Sequence, residues 1–174
     1  LAAQVETEED GPFFDLQVES RRMWREWARM LPEETGMQLG YREEGIYRIA
    51  ETEQEAEQLQ ERLAWQRKKG YNGEWLDAQA VKAQIPGLRD AVCGALYVPD
   101  DHQLDAVLAV QALRRSVSRH RVKVLEGIPV LGLLHDGSRV TGVKTVSGTM
   151  TAETVVLAGG MSVPLLLDPL GYRL

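Results

Sequence analysis

A mixed α/β fold made of two interleaved parts is predicted by three observations. Helical patterns and short alternating strands mix through the middle of the chain. A sheet-rich α/β pattern fills Asp100 to Gly160, and no internal repeat, low-complexity tract or long linker separates the two. The composition suits an ordinary globular chain of 174 residues, 44% hydrophobic and 26% charged, long enough to bury a core.

From Gly11 to Leu31, the residues Phe13, Leu16, Met23, Trp27 and Met30 recur at three-, four- or seven-residue intervals, which predicts an amphipathic helix. Pro12 suits its first turn and Gly36 its exit, and the aromatic stripe Phe13, Trp24, Trp27 is expected in the core. Between Met37 and Ala50, two alternating segments flank Glu43-Glu44-Gly45, and a hairpin is the simplest reading. Thr52 followed by Glu55 forms a capping box for a helix that runs to about Lys69, with acidic residues early and basic residues late, and Gly70 closes it. Asp77 caps a short helix that must end before Pro86.

Gly94 to Pro99 reads as a strand, Asp100 to Gln103 as a turn, and Asp105 as the cap of a helix with Val107, Leu108, Val110 and Leu113 on or near its apolar face. Short strands are expected at Val122–Leu125, Pro129–Leu134, Val140–Val143 and Thr154–Ala158, with turns at Asp136-Gly137 and Ser147-Gly148. The last of these is nearly continuous in apolar residues and reads as buried on both faces.

Charge and residue usage narrow the function. A net charge of −6 opposes nucleic-acid binding, which needs a basic surface to displace counterions. The one basic cluster, Arg67-Lys68-Lys69, reads as the positive end of a helix. No apolar run reaches the roughly 18 residues of a membrane span, so no membrane insertion is expected. The single Cys93 forms no internal disulfide, belongs to no metal-binding spacing, and reads as a small buried apolar residue in a protein of the reducing cytoplasm. His102, His120 and His135 share no helical pairing and are expected at the surface, while Asp100-Asp101 reads as a turn that helps cap the next helix rather than an acid–base pair. No G-x-G-x-x-G, P-loop or G-x-S-x-G motif occurs. Val155-Val-Leu-Ala-Gly-Gly160 runs a strand into small residues, which is where open α/β sheets take nucleotides, although a tight strand exit accounts for it equally well.

Seven segments in order, Leu1-Ala-Ala-Gln, Asp10-Gly-Pro-Phe-Phe-Asp-Leu, Tyr41-Arg-Glu-Glu-Gly-Ile, Ala95-Leu-Tyr-Val-Pro-Asp-Asp, Gln103-Leu-Asp, Val124-Leu-Glu-Gly-Ile-Pro-Val and Thr154-Val-Val-Leu-Ala-Gly-Gly, span the chain. Together they resemble the FAD-dependent amino-acid oxidases, the family of glycine oxidase, sarcosine oxidase and D-amino-acid oxidase, with glycine oxidase nearest. The resemblance implies an incomplete Rossmann-type FAD domain interleaved with an antiparallel-sheet substrate domain. Residues 1–36 and 100–162 would belong to the FAD domain, 37–99 to the substrate domain, and 163–174 would begin the return to the latter. It also implies that Leu1 ends a flavin-contacting loop, that Val130 meets the adenine end of FAD through its backbone, and that Ala158 and Gly159 lie near the cofactor.

The implied activity is oxidation of glycine or a related small amino acid or amine, with hydrogen peroxide as co-product, in thiamine biosynthesis. The flavin performs that chemistry, so no catalytic residue is named. The chain departs from the family at Ala158-Gly-Gly-Met-Ser162, where Ala-Gly-Ala-Trp-Ser is common. The family's dinucleotide motif would precede Leu1, and its substrate-gripping arginine and tyrosine would follow Leu174. The chain starts without methionine and stops soon after a new apolar segment begins, so it is expected to be an internal piece that is inactive alone. A second reading stays open: a cofactor-free binding module, acting as a scaffold or as partner in a homo-oligomer.

Overall fold

The computed structural model describes residues 1–89, 91–137 and 139–173. Leu174, the end of the stretch expected to return to the substrate domain, lies outside the described residues. Packing divides the chain into two units, Leu1–Val122 and Lys123–Leu174.

The first unit opens with a four-residue helix α1 (Ala3–Glu6) and a long helix α2 (Pro12–Thr35). A three-stranded antiparallel sheet follows, made of β1 (Ile46–Ala50), β2 (Glu74–Asp77) and β3 (Gly94–Val98) in the order β1-β3-β2. Helices α3 (Glu53–Lys68) and α4 (Ala78–Gln84) connect the strands, and α5 (Ala106–Arg119) ends the unit. The central strand β3 separates two cores. On one face Leu96 and Val98 pack with Ala50, Val5 and the α3 residues Ala56, Leu59 and Leu63; on the other Ala95 packs with Val92 and Val81 of α4. A third cluster joins α2 and α5 through Leu31, Leu39 and Ala112, with Trp24 and Trp27 against it. Gly94 must be glycine, because a Cβ there would stand 2.4 Å from the Trp75 ring and 2.7 Å from the Leu76 carbonyl oxygen.

The second unit is an antiparallel meander of β4 (Val130–His135), β5 (Val140–Thr145) and β6 (Gly148–Thr151). A 3-10 turn (Gly160–Ser162), a short helix α6 (Val163–Leu167) and a second 3-10 turn (Asp168–Leu170) follow, with α6 packed on β4. Among its described residues only Gly142 and Thr145 are buried, so every large apolar side chain described in this unit is at least partly exposed.

The locally encoded features stand where the sequence puts them. Thr52 and Glu55 form both bonds of the capping box, Asp77 caps α4, and the Asp105 carboxylate accepts the N–H groups of Val107 and Leu108. Gly36 ends α2 in a left-handed conformation, after the helix has continued through Pro32 to Thr35.

Other expectations are corrected. No hairpin joins Met37–Tyr41 to β1. Leu39 turns into the α2–α5 cluster, its carbonyl accepts from Asp105, Arg42 bridges to Gln103, and β1 pairs with β3 instead. Val122–Leu125 and Thr154–Ala158 are not strands, and Val156 is 83% exposed rather than buried on two faces. A β-branched run becomes a strand only when a neighbouring edge accepts its hydrogen bonds. The sequence reading also missed α1, β2 and β6.

The helix faces are rotated from the expected ones. Phe14 is fully buried while Phe13, Leu16, Met23 and Met30 are exposed; on α5, Ala109 and Ala112 are buried while Val107 and Val110 are exposed. The inward stripe of α2 follows residues 14, 21, 28, 31 and 35 and includes Arg21 and Thr35, polar residues whose partners hide them from an apolar-periodicity count.

Candidate functional site

Three of the four residues tied by resemblance to a cofactor come together in the second unit. Val130, Ala158 and Gly159 line one groove of about 500 Å³, with Pro129, Ser162 and Leu166 among its other walls. The β4 start supplies Val130, and the extended segment before the Gly160–Ser162 turn supplies Ala158 and Gly159. The lining is mostly apolar, with Ser162 among its residues.

Gly159 has φ −91° and ψ 13°, a conformation open to any residue. A Cβ there would meet Val163 Cγ2 at 3.6 Å, an ordinary contact. Neither backbone nor internal packing demands glycine at 159, an exposed position on the groove wall. Ser162 and Leu166 escaped the sequence reading; their spacing of four around Val163–Leu167 is the signal that could have found them.

Leu1 belongs to the first unit. It lines a separate groove of about 370 Å³ with Ala2, Ala3, Leu16, Ser20 and Arg21, and its carbonyl accepts the His102 N–H at 3.4 Å.

The turn after β3 differs from its expected role. Asp101 is fully buried, ion-paired with Arg21, and accepts the backbone N–H groups of Gln4 and Val5; it caps α1 rather than α5. His102 is not a surface histidine but 2% exposed, with Nδ1 2.6 Å from the Tyr41 hydroxyl and Nε2 3.4 Å from the Arg25 guanidinium. Arginine only donates, so Nε2 accepts and Nδ1 carries the proton toward Tyr41. Burial, and then the Arg25 charge, hold the imidazole below its ordinary value. Burial, and then Glu43, hold the Tyr41 hydroxyl above its own. His120 and His135 are exposed as expected.

A pH prediction follows from His102. In the unfolded chain the ring takes its proton near pH 6.5, while the folded site resists it to lower pH. Stability contributed by the neutral ring is therefore complete above pH 6.5 and lost as pH falls through the depressed folded value. The urea midpoint of the parent should drop more than that of His102→Gln between pH 7.5 and 5.5; equal drops would sink the assignment.

Cys93 is half-buried against the α3 core, and burial followed by Glu53 pushes its thiol up, away from a nucleophile's range. Among the described residues no three His, Cys, Asp or Glu side chains cluster as metal ligands, and no helix is long and apolar enough to cross a membrane.

Residues 1–174 match the family described as FAD dependent oxidoreductase (DAO), and the chain belongs to that family. Within it, the chain is 32% identical over 161 residues to glycine oxidase of Geobacillus kaustophilus, covering 92% of this chain and 42% of that protein. The solved structure of the glycine oxidase from Geobacillus kaustophilus superposes with a TM-score of 0.87 at 31% identity, covering 99% of this chain and 46% of that one. The bifunctional protein ThiO/ThiG of Synechocystis is 32% identical over 160 residues, 92% of this chain and 23% of that protein. A D-amino acid dehydrogenase of Paramagnetospirillum magneticum is 36% identical over 98 residues, 56% of this chain and 23% of that protein. The chain thus spans less than half the length of these relatives.

Proposed function

We propose that the chain is part of an FAD-dependent oxidase that converts glycine, or a related small amino acid or amine, to its imine. The observation that carries this reading is the superposition on a glycine oxidase over 99% of the chain, at an identity that matches the sequence comparison. When bound, FAD supplies the redox chemistry, accepting hydride from the substrate α-carbon and passing electrons to oxygen to give hydrogen peroxide. A place in thiamine biosynthesis fits the similarity to ThiO/ThiG.

The chain's own residues hold and shape. The Val130 backbone would meet the adenine end of the cofactor, Ala158 and Gly159 would let it approach closely, and Leu1 would close on the flavin. Residues 1–36 and 100–162 would serve the FAD domain and 37–99 the substrate domain. The uncovered apolar surface of the second unit and the exposed stripe Phe13, Leu16, Met23, Met30 are what such a piece presents when other parts of a larger fold would cover them. The 174 residues alone would bind little flavin, lacking a G-x-G-x-x-G loop for the pyrophosphate.

A second reading is favoured by the 36% identity to a D-amino acid dehydrogenase: a D-amino acid substrate, with electrons leaving to an acceptor other than oxygen. Purifying the protein as its gene encodes it, recording its visible spectrum and assaying it with glycine, sarcosine and D-alanine separates these. Yellow protein with peroxide formed from glycine is the expected result. Turnover of D-alanine with a dye but not oxygen supports the second reading, and a colourless, inert protein refutes both in favour of a cofactor-free module.

A further inference from the structure

With four residues, α1 is far shorter than the roughly 12–15 at which an isolated helix becomes marginal, so contacts outside it fix its place. A buried polar cluster drawn from distant parts of the first unit provides them. Asp101 Oδ2 accepts the N–H groups of Gln4 at 3.0 Å and Val5 at 2.9 Å, and Oδ1 pairs with Arg21 of α2 at 2.5 Å.

Gln4 is fully buried and uses each of its polar groups. Its Oε1 accepts from Arg21 at 2.8 Å, its Nε2 donates to Gln66 Oε1 at 3.2 Å and to the Asn72 carbonyl at 2.8 Å, and its own carbonyl accepts from Gln66 at 2.8 Å. The residue after Asp101 reaches back to the Leu1 carbonyl. Among the described residues no buried side-chain polar atom lacks a partner.

We infer that Asp101, together with Arg21, is a positioning residue for flavin binding, which fixes the Leu1–Val5 segment and through it the placement of Leu1 against the cofactor. The inference rests on the proposed contact between Leu1 and FAD. A buried ion pair is a poor source of net stability, because desolvation offsets most of its attraction, and apolar residues of equal volume would do as well. Directional hydrogen bonds do what apolar packing does not: they fix the register and orientation of a short segment. A contact residue that leads into so short a helix needs such support to stay in place.

The test uses the protein as encoded, purified with FAD. Asp101→Asn keeps volume but loses the charge and puts an amide nitrogen or a lone oxygen where two acceptors stood. Arg21→Lys is milder, keeping the charge while losing the guanidinium that joins Gln4 to Asp101. Asp77→Ala, which removes the α4 cap on the opposite face of the sheet from Val5, controls for stability alone.

The expected result is a dissociation constant for FAD raised about tenfold by Asp101→Asn and about threefold by Arg21→Lys, each with displaced flavin absorption bands. Asp77→Ala should lower the melting temperature and leave affinity and spectrum unchanged. Parental affinity and spectrum in both cluster variants overturn the inference while leaving the FAD reading intact; should Asp101→Asn fail to fold, Arg21→Lys decides by the same criterion. A parent protein that binds no FAD overturns the FAD reading and the inference with it.

Discussion

Gly159→Phe is expected to raise the dissociation constant for FAD by about a hundredfold, on the order of 3 kcal/mol, without unfolding the second unit. The φ of −91° and ψ of 13° accept a side chain, and the first carbon beyond Cα meets Val163 at an ordinary 3.6 Å, so the substitution strains nothing within the chain. Gly159 stands exposed on the wall of the groove it lines with Val130 and Ala158, so a ring there would narrow that groove and, with FAD bound as proposed, compete with it. Gly160→Ala is the instructive contrast. Gly160 sits at φ +53°, a left-handed conformation that L-residues adopt at a cost, while nothing lies within 4 Å of its added carbon. That variant should act through stability and not through the groove. Titrating the apoprotein, purified as its gene encodes it, with FAD while following circular dichroism checks both, and undiminished flavin affinity in Gly159→Phe would remove the groove from the cofactor's proposed path.

Phe14→Ala should cost about 3–5 kcal/mol of stability, the range for emptying a fully buried aromatic site. The ring is completely covered and meets Trp65 of α3 edge-on at 4.9 Å and Tyr71 at 5.1 Å, with the Lys69 ammonium 5.4 Å above it. Edge-to-face pairs of this kind add about 0.5–1.5 kcal/mol beyond area burial. Phe13→Ala, at a position 66% exposed, should fall within about 0.5 kcal/mol of the parent. Urea denaturation followed by tryptophan fluorescence compares the two neighbours. Equal losses would show that the helix presents a different face to α3.

The candidate site was legible in a particular way. Val130, Ala158 and Gly159 were singled out by resemblance to a family, since no spacing rule connects a residue in a strand with two residues about 28 positions further on. That they share a groove is a fact of folding: β6 ends with Thr151 opposite Gly142, level with Leu134 of β4, and the segment after it brings Ala158 and Gly159 to Val130. Asp101 was visible only as half of an acidic dipeptide before a helix. Its role as the cap of α1 depends on Gln4 and Arg21, which lie 97 and 80 residues away. His102 looked like a turn residue because Tyr41, which covers it, is 61 residues earlier.

What the sequence determined by itself was local: the caps at Thr52, Asp77 and Asp105, and the exit at Gly36. Each depends on a side chain bonding a backbone group within about three residues, or on a residue's own backbone preference, and needs no distant partner. Tertiary structure alone decided which helix faces turn inward, which strands pair, and which polar residues are buried. Phe13 and Phe14 differ by only about 100° around the helix, so the core, and not the pattern, selects between them. An apolar run such as Thr154–Ala158 takes a strand's geometry only when another strand lies beside it, because a strand's hydrogen bonds are made with its neighbour and never within itself.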